Sequence, residues 1–499
     1  MFDTLVYFSL KCLLYFLVFT VIYNVFVLVT KFKYVRFAWN YNMFFLPLIP
    51  FVGTAYLTIF GKVRASMLQV VIVADKYFGG LPCNFWYGSA YHYLTNDADE
   101  ARIILNHPKC FNKAELYKMI NLGLRNPIVN VPVEIWKPRR HLLRPAFKKH
   151  MIKLSYQTYY QQSCLLLEEI KKLKPEDNLY KFFSKYAFMN FFLSSFGLSD
   201  AKKYRTDIIR IGTQIDAAQD EFIKIFSNPA IPSTLWKSSP FGAAFRAIEN
   251  ELKGLLKEVL EDYMEQTKKT SEYYENPAEK PLIELLLDEA YQKDPTADLF
   301  EEFAFITGAA TDTSGRTLSF CFTMLGMYPE VQAKAYDEIQ SVVGDRNIDF
   351  SDLVELKYVD AVISETLRIL PTVPLFGRYC SEDIDLGSKI VPKGTNVFVS
   401  AYDLHRNPKY WEDPLKFDPE RFLPENASKI VPGAYVPFSI GPRNCLGQTW
   451  GTVLLQMTIA NVVRSFNIST SHKSIDQLAL ESCISMKTTH HLNCQFTVR

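Results

Sequence analysis

The feature that constrains this chain most is a short loop near its end, residues 438–447, which contains one cysteine, Cys445. The spacing is Phe-x-x-Gly-x-Arg-x-Cys-x-Gly, and the apolar run that follows predicts a helix. Gly441 and Gly447 allow positive φ and let the backbone approach a flat group closely. Amide N–H groups aimed at the sulfur can lower its basicity and tune a bound metal. The pattern indicates a cysteine that binds the metal of a flat macrocycle.

Two further side chains of the loop fit this interpretation. Arg443, two residues before the sulfur, can reach an anionic group such as a haem propionate. Phe438 can pack beside the sulfur and exclude water. The alternative is an inert cysteine in a glycine turn, because free cysteines are commonly buried. The four motif residues together with the distant motifs below favour the metal ligand.

The loop resembles the haem-binding loop of the cytochrome P450 superfamily, the haem-thiolate monooxygenases. The resemblance covers nearly the whole chain after its N-terminal segment and is most specific in the last third. It implies the cytochrome P450 fold and a haem iron held by the thiolate of Cys445. A thiolate in that position pushes electron density onto iron and favours O–O bond cleavage.

Composition limits the other classes of function. The chain has 499 residues, 48% of them hydrophobic, and a formal net charge of +2. Because there is neither a basic run nor an RNA-binding motif, nucleic-acid binding is not predicted. The nine cysteines include no C-x-x-C pair and their number is odd. This usage indicates a reducing compartment rather than a disulfide scaffold.

The N-terminal segment predicts a transmembrane helix. Residues 12–30 carry no charge and can cross a hydrocarbon layer of about 30 Å as one helix. Lys31, Lys33 and Arg36 follow the span and place the rest of the chain in the cytosol. A cleaved signal peptide is the alternative. The long apolar run, the acidic Asp3 and the lack of a small-x-small cleavage site argue against it.

The remainder predicts one mainly α domain with small β-sheets. Residues 101–336 show mostly helical periodicity, and strand-like runs lie near 55–60, 390–399 and 484–498. We expect a membrane anchor at residues 1–33, a proline-containing linker at 34–50 and a haem-thiolate monooxygenase domain at 51–499. The expected location is the endoplasmic reticulum membrane, with the catalytic domain in the cytosol.

Trp136 and Arg140 are four residues apart and share one face of a predicted helix, where both can donate to a carboxylate. By resemblance this pair contacts the haem propionates, and Arg378 binds a propionate from an extended segment. A surface helix with a partly buried tryptophan is the alternative. Pro138 suits the first turn of a helix, so we expect the helix to begin close to Trp136.

The same region is strongly basic, because it contains Arg139, Arg144, Lys148 and Lys149. An acidic electron donor can dock on such a face through electrostatic steering. By resemblance the donor is an NADPH-dependent flavoprotein reductase. The alternative is a solvated helix face, which is the more common meaning of a charge cluster by itself.

The longest helical pattern, residues 301–327, contains the acid–alcohol pair Asp312-Thr313 in an apolar stretch. Buried polar groups destabilise a fold unless they are hydrogen bonded. By resemblance the helix passes over the haem, where Thr313 holds dioxygen and water and Asp312 relays protons as a general acid. The alternative is a threonine bonded back to a carbonyl one turn earlier. Ala310 stands where the family usually has glycine, and its methyl group narrows the oxygen groove.

Glu365 and Arg368 are three residues apart on a predicted helix and can form an ion pair. Glu-x-x-Arg alone is common, but Arg421 follows about fifty residues later in the motif Pro-Glu-Arg-Phe. By resemblance the three residues form one buried charge network with a structural role. Removing one partner from such a network costs about 3–5 kcal/mol.

Residues 403–448, which include the haem loop, resemble the branch that contains fatty-acid ω-hydroxylases and their insect relatives, through the stretches 417–426 and 436–448. Many members carry, in place of Ala309, a glutamate that forms an ester with haem. The alanine therefore predicts non-covalent haem b and weakens the case for strict ω-hydroxylation. Val373, Pro374 and Leu375, with Ala309, are expected to line an apolar substrate pocket; ordinary core packing is the alternative.

These features predict an enzyme that inserts one oxygen atom from O2 into a lipophilic substrate. Fatty acids, hormones, odorants and xenobiotics all fit this description. One rival is a reductase-independent haem-thiolate isomerase or dehydratase, against which the intact Asp312-Thr313 pair argues. The other is a non-catalytic, membrane-anchored haem protein that binds or senses a ligand, and Ala310 is its only support.

Overall fold

The computed structural model describes residues 2–43, 82–87, 90–122, 126–198, 239–270, 279–294, 298–482 and 484–499, with the single residues 48, 80, 124 and 210. Helices predominate, as predicted. They are α1 (Phe2–Thr30), α2 (Phe32–Asn40), α3 (Ala98–Asn106), α4 (Val133–Leu143), α5 (Lys149–Leu154), α6 (Tyr156–Ile170), α7 (Leu179–Phe196), α8 (Pro240–Thr270), α9 (Leu282–Leu287), α10 (Glu289–Gln292), α11 (Leu299–Met327), α12 (Pro329–Val342), α13 (Lys357–Ile369), α14 (Ala401–Leu404) and α15 (Gln448–Ser465).

The strands form small sheets. They are β1 (Cys83–Tyr87), β2 (Ala90–Thr95), β3 (Leu375–Tyr379), β4 (Ile384–Asp385), β5 (Ile390–Val391), β6 (Asn396–Ser400), β7 (Phe466–Ser469), β8 (Leu480–Ser482), β9 (Met486–Thr488) and β10 (Gln495–Val498). One sheet has the order β1-β2-β6-β3, in which only β2 and β6 are parallel. The strand predicted near residues 55–60 lies outside the described residues.

Helices α7 and α11 form the centre of the apolar core. Phe183 of α7 stacks on Phe322 of α11, with ring centroids 4.9 Å apart. A Cβ at Gly315 would lie 2.8 Å from the Ser184 Cα, so the two backbones approach as closely as they do because residue 315 is glycine. Asp298 caps α11 by accepting from the Glu301 N–H at 3.0 Å. This packing fixes the helix that carries the acid–alcohol pair.

Helix α4 begins earlier than the sequence suggests. It starts at Val133, so Pro138 lies inside the helix rather than in its first turn. The Val133 N–H donates to the Asn112 Oδ1 at 3.1 Å, a contact from a distant part of the chain. The expectation of a start near Trp136 was wrong because a tertiary contact satisfies the helix N-terminus.

The N-terminal helix is long and apolar enough to cross a membrane, and 24 residues, Tyr7–Thr30, form the candidate span. Helix α2 follows and packs on the β1-β2-β6-β3 sheet. Tyr34 stacks on Tyr91 with ring centroids 4.9 Å apart, and the Lys33 Nζ donates to the Lys393 carbonyl at 2.6 Å. Residues 34–40, expected in the linker, are therefore helical and contact the sheet.

Candidate functional site

The cysteine loop is folded by its own backbone. The Cys445 N–H donates to the Phe438 carbonyl at 2.9 Å, and the Asn444 N–H donates to the Gly441 carbonyl at 3.1 Å. Gly441 has φ +75°, and a Cβ there would lie 2.4 Å from the Leu105 carbonyl oxygen. Glycine is therefore required at this position, as predicted.

The second glycine of the loop has another role. Gly447 has φ −88° and caps α15, so the expectation of positive φ was wrong for this residue. A Cβ built there would meet no heavy atom within 4 Å, so open space lies beside the backbone. That space suits the face of a planar group.

The Cys445 side chain is accessible to solvent although it lies in the interior of the protein. Burial raises the pKa of its thiol, while the Gly447 N–H and the charges of Arg140 and Lys113 lower it. An accessible sulfur in the interior can bind a ligand without rearrangement. A coordinated metal would deprotonate the thiol outright.

Four cations lie close to one another beside this loop, and we call them the cation cluster: Lys113, Arg140, Arg378 and Arg443. Burial and then its three arginine neighbours lower the pKa of Lys113 well below the ordinary value. Burial, with Arg378 and Arg140, lowers the pKa of Arg443 to about 9. Within the described part of the chain, no carboxylate forms an ion pair with any of the four. The cluster therefore has an excess of positive charge.

Two members of the cation cluster also hold the loop. Arg443 donates to the carbonyls of Phe111, Ile128 and Val131 at 2.9, 3.2 and 2.9 Å. Arg140 donates to the main-chain carbonyl of Asn444 at 2.7 Å and to its Oδ1 at 2.6 Å.

Trp136 lies between these two arginines. The guanidinium carbons of Arg443 and Arg140 lie 4.3 and 5.8 Å from the centroid of its ring. Helix α4 is thereby joined to the cysteine loop.

The fully buried Arg378 lies on β3. Its Nη1 donates to the Gly377 carbonyl at 3.1 Å and its Nη2 to the Ser439 Oγ at 3.3 Å. Its Nε has no hydrogen-bond partner among the described residues. A buried guanidinium with an unused donor is suited to an anionic ligand.

The acid–alcohol pair on α11 has defined partners. The Thr313 Oγ1 donates to the Ala309 carbonyl at 2.8 Å, which is the back-bonded arrangement that the sequence left open. The Asp312 Oδ1 accepts from the Tyr180 hydroxyl and from the Arg316 Nε, each at 2.8 Å. The Arg316 guanidinium also lies 4.1 Å from the centre of the Tyr180 ring. Asp312 is therefore held through one carboxylate oxygen.

The four predicted pocket residues differ in exposure. Ala309 is exposed and Val373 is half-buried, whereas Pro374 and Leu375 are buried. Leu375 belongs to a small apolar cluster with Leu94 and Phe398.

Glu365 and Arg368 form a buried bidentate pair, with Nε–Oε2 and Nη2–Oε1 distances of 2.6 and 2.8 Å. Arg368 also donates to three main-chain carbonyls. The Asp418 N–H donates to the Glu365 Oε1 at 2.8 Å. The Arg421 Nε lies 3.6 Å from the same oxygen, too far for a good hydrogen bond. The structure therefore brings Glu365 and Arg368 together as a pair and places Arg421 at its edge.

Comparison with known proteins decides the family. The family model described as Cytochrome P450 matches residues 45–494. The chain belongs to the cytochrome P450 family. Cytochrome P450 4V2 of Mus musculus is 28% identical over 82% of this chain and 81% of its own length. Cytochrome P450 4c21 of Blattella germanica is 26% identical over 86% and 88%. Probable cytochrome P450 4p3 of Drosophila melanogaster is 27% identical over 82% of each chain.

These findings confirm the resemblance seen in the sequence, including its branch. This cytochrome P450 is a monooxygenase of the haem-thiolate class, and its family uses non-covalently bound haem b. The residues of this site fit that group. The accessible sulfur suits an iron atom, and the open space at Gly447 suits a planar ring. The four cations, which pair with no carboxylate in the part of the chain that the structure describes, suit two propionates.

One predicted surface residue of this P450 is not on the surface. Arg139 is only 2% exposed and pairs with Asp294 at 2.6 Å and with Glu302 at 3.0 Å. It therefore cannot contribute to a docking face, and that expectation was wrong. Arg144, Lys148 and Lys149 are exposed, as expected, but they lie after the end of α4.

Sequence reasoning missed several residues of the site. Arg316 could have been found, because it lies one helical turn after Asp312. Asn444 directly precedes Cys445 in the loop, so its place at the site could have been read from the sequence. Lys113 and Tyr180 carry no such signal, since each reaches the site only through the tertiary fold.

Proposed function

We propose that this cytochrome P450 inserts one oxygen atom from O2 into a C–H bond of a lipophilic substrate, with electrons from an NADPH-dependent reductase. The observation that carries the proposal is the interior, accessible sulfur of Cys445 beside the cation cluster. Haem b, when bound there, supplies the activation of oxygen and the storage of electrons.

In this proposal the chain holds haem from two directions. Cys445 is the iron ligand, and the loop backbone and Phe438 shield its sulfur. Lys113 and Arg378 bind the propionates, since Lys113 is half-buried, Arg378 is fully buried, and neither pairs with a carboxylate of the described residues. Trp136 and Arg140 belong to the same propionate side, together with Arg443, and they also fix the loop. Gly441 and Gly447 allow the backbone to follow this shape.

Asp312 and Thr313 are proposed to deliver protons. Tyr180 and Arg316 both bind the Asp312 Oδ1, so the Oδ2 is left to hand a proton onward. The Thr313 hydroxyl donates its hydrogen to a carbonyl, which leaves the lone pairs of its oxygen free to accept from water. Such an acceptor next to a carboxylate is what general acid–base catalysis requires.

The substrate is proposed to meet α11 at Ala309, whose methyl group is exposed. Val373, and with less contact Pro374 and Leu375, would form the facing wall. All four side chains are apolar, so we expect a lipophilic substrate, such as a fatty acid, hormone, odorant or xenobiotic. None of these four residues has a carboxyl group that could form an ester with haem.

The reductase is proposed to dock on Arg144, Lys148 and Lys149, which are exposed within six residues of one another. Opposite charge on the partner would steer the encounter, and salt would slow it. Helix α1 is proposed to anchor the protein in the endoplasmic reticulum membrane with the catalytic domain in the cytosol. The division into residues 1–33, 34–50 and 51–499 stays a prediction.

The proton-delivery role is tested by changing Thr313→Ala and measuring the electrons from NADPH that reach product. We expect haem to be retained and the electrons to appear as hydrogen peroxide in solution. Thr323→Ala is the matched control, because Thr323 makes the same back-bond on the same helix, at 2.7 Å to the Ser319 carbonyl. If the same fraction of the NADPH electrons reached product in both variants, the result would count against the role of Thr313 in proton delivery. Turnover without NADPH would favour the isomerase.

A further inference from the structure

A pair of buried thiols lies outside the site described above. The Sγ atoms of Cys110 and Cys380 are 3.8 Å apart, and both side chains are fully buried. The two residues are 270 positions apart in the sequence. Cys110 ends a short helical turn after α3, and Cys380 directly follows β3.

The backbones around the two cysteines are already held together. The Tyr379 N–H donates to the Asn112 carbonyl at 2.9 Å, and the Ser381 N–H donates to the Lys109 carbonyl at 3.0 Å. Cys380 lies between these bonds, and its own N–H points away, to the Thr395 carbonyl at 2.9 Å. These bonds keep the two segments side by side, so the sulfur atoms need only move from 3.8 Å to the bonding distance of about 2.05 Å.

The chemistry of the two thiols is unequal. The neighbouring Cys380 thiol and the Arg378 charge lower the pKa of Cys110, whereas its partner and burial raise the pKa of Cys380. Cys110 is therefore the better nucleophile of the pair.

We propose that Cys110 and Cys380 form a redox site. When hydrogen peroxide oxidises the two thiols, they join in a reversible intramolecular disulfide. The Cys110 sulfur attacks one peroxide oxygen, the O–O bond breaks, and the first water leaves with a sulfenic acid on Cys110. The Cys380 sulfur then displaces the sulfenic hydroxyl as the second water. Two thiols and one peroxide give one disulfide and two waters. Peroxide is small and uncharged, so it can reach thiols from which larger disulfide reagents are excluded.

The disulfide would connect the two segments that carry part of the cation cluster. Cys110 lies three residues before Lys113, and Cys380 lies two residues after Arg378. Oxidation therefore holds these two cations at a fixed separation. This inference concerns thiol chemistry and does not depend on the proposed reaction.

The test uses the full-length haem protein, treated with hydrogen peroxide, then with N-ethylmaleimide under denaturing conditions, and analysed by peptide mass spectrometry. We expect a linked peptide pair that has lost two hydrogen atoms and both maleimide labels, and dithiothreitol should restore the labels. Cys321 and Cys494 are the matched controls, because both are buried; the Cys494 Sγ lies 3.7 Å from a threonine hydroxyl. These two should keep their labels.

A Cys380→Ala variant separates pairing from simple exposure. There Cys110 should advance to sulfenic or sulfinic acid instead of forming a disulfide. The proposal is overturned if, after peroxide treatment, Cys110 and Cys380 of the native protein are labelled by maleimide as fully as Cys321 and Cys494. It is also overturned if Cys110 forms its disulfide with another cysteine.

Discussion

Two groups of charged side chains in this P450, one buried and one partly buried, have opposite charge balances. Glu365 and Arg368 neutralise each other in a bidentate pair, and main-chain groups satisfy what remains. The cation cluster has no carboxylate among the described residues, and its members lower one another's pKa values. A balanced group contributes to the fold without further partners. An unbalanced group is complete only with an anion, and we propose that the propionates of haem supply it here.

The largest effect is expected in the balanced group. Arg368→Ala removes the bidentate partner of the buried Glu365 and leaves Arg421, at 3.6 Å, as its nearest cation, so we expect a loss of about 3–5 kcal/mol in the free energy of unfolding. Such a loss is a large part of a typical total stability. Arg346→Ala is the control, because Arg346 forms an equally short pair with Asp352 but is half exposed. That change should cost at most about 1 kcal/mol. Denaturant unfolding measures both, and equal losses would remove the distinction.

The unbalanced group should respond in the opposite way. Arg378→Met removes a buried charge that pairs with no carboxylate of the described residues, so the chain without haem should unfold at the same or a higher denaturant concentration. Haem binding should weaken about tenfold or more, because a charge-assisted hydrogen bond contributes about 1.5–3 kcal/mol. Lys113→Met should act in the same direction. Transfer of haem to an acceptor protein measures the affinity. An unchanged affinity in both variants would separate the cation cluster from haem binding.

A smaller effect is expected from pH. The pKa of Lys113 is lowered in the folded chain, so below the ordinary lysine value, about 10.4, the unfolded chain binds more protons. The free energy of unfolding without haem should therefore rise as pH increases toward about 10, and fall as pH decreases through the lowered pKa. Lys113→Met should flatten this dependence. Thermal unfolding from pH 7 to 10 measures it, and an equal slope in the variant would contradict the assignment.

Local spacing predicted much of this molecule. The cysteine loop, the Glu365–Arg368 pair and the extent of α11 depend on residues close together in sequence, where a fixed spacing implies a fixed geometry. Arg139 shows the limit of prediction from local spacing. Its partner Asp294 is 155 residues away in the sequence, so no nearby residue indicates that Arg139 is buried. Lys113 likewise reaches the site only through tertiary contacts. The motif predicted a positive φ at Gly447, but this residue has φ −88° because it caps α15.

The central claim is that Cys445 is the thiolate ligand of haem iron. The direct measurement is the carbon monoxide difference spectrum of the reduced protein, for the native chain and for Cys445→Ala. We expect the red-shifted band of a thiolate-ligated haem in the native chain and its loss in the variant. Retention of that band in Cys445→Ala, or a native spectrum typical of imidazole ligation, would contradict it.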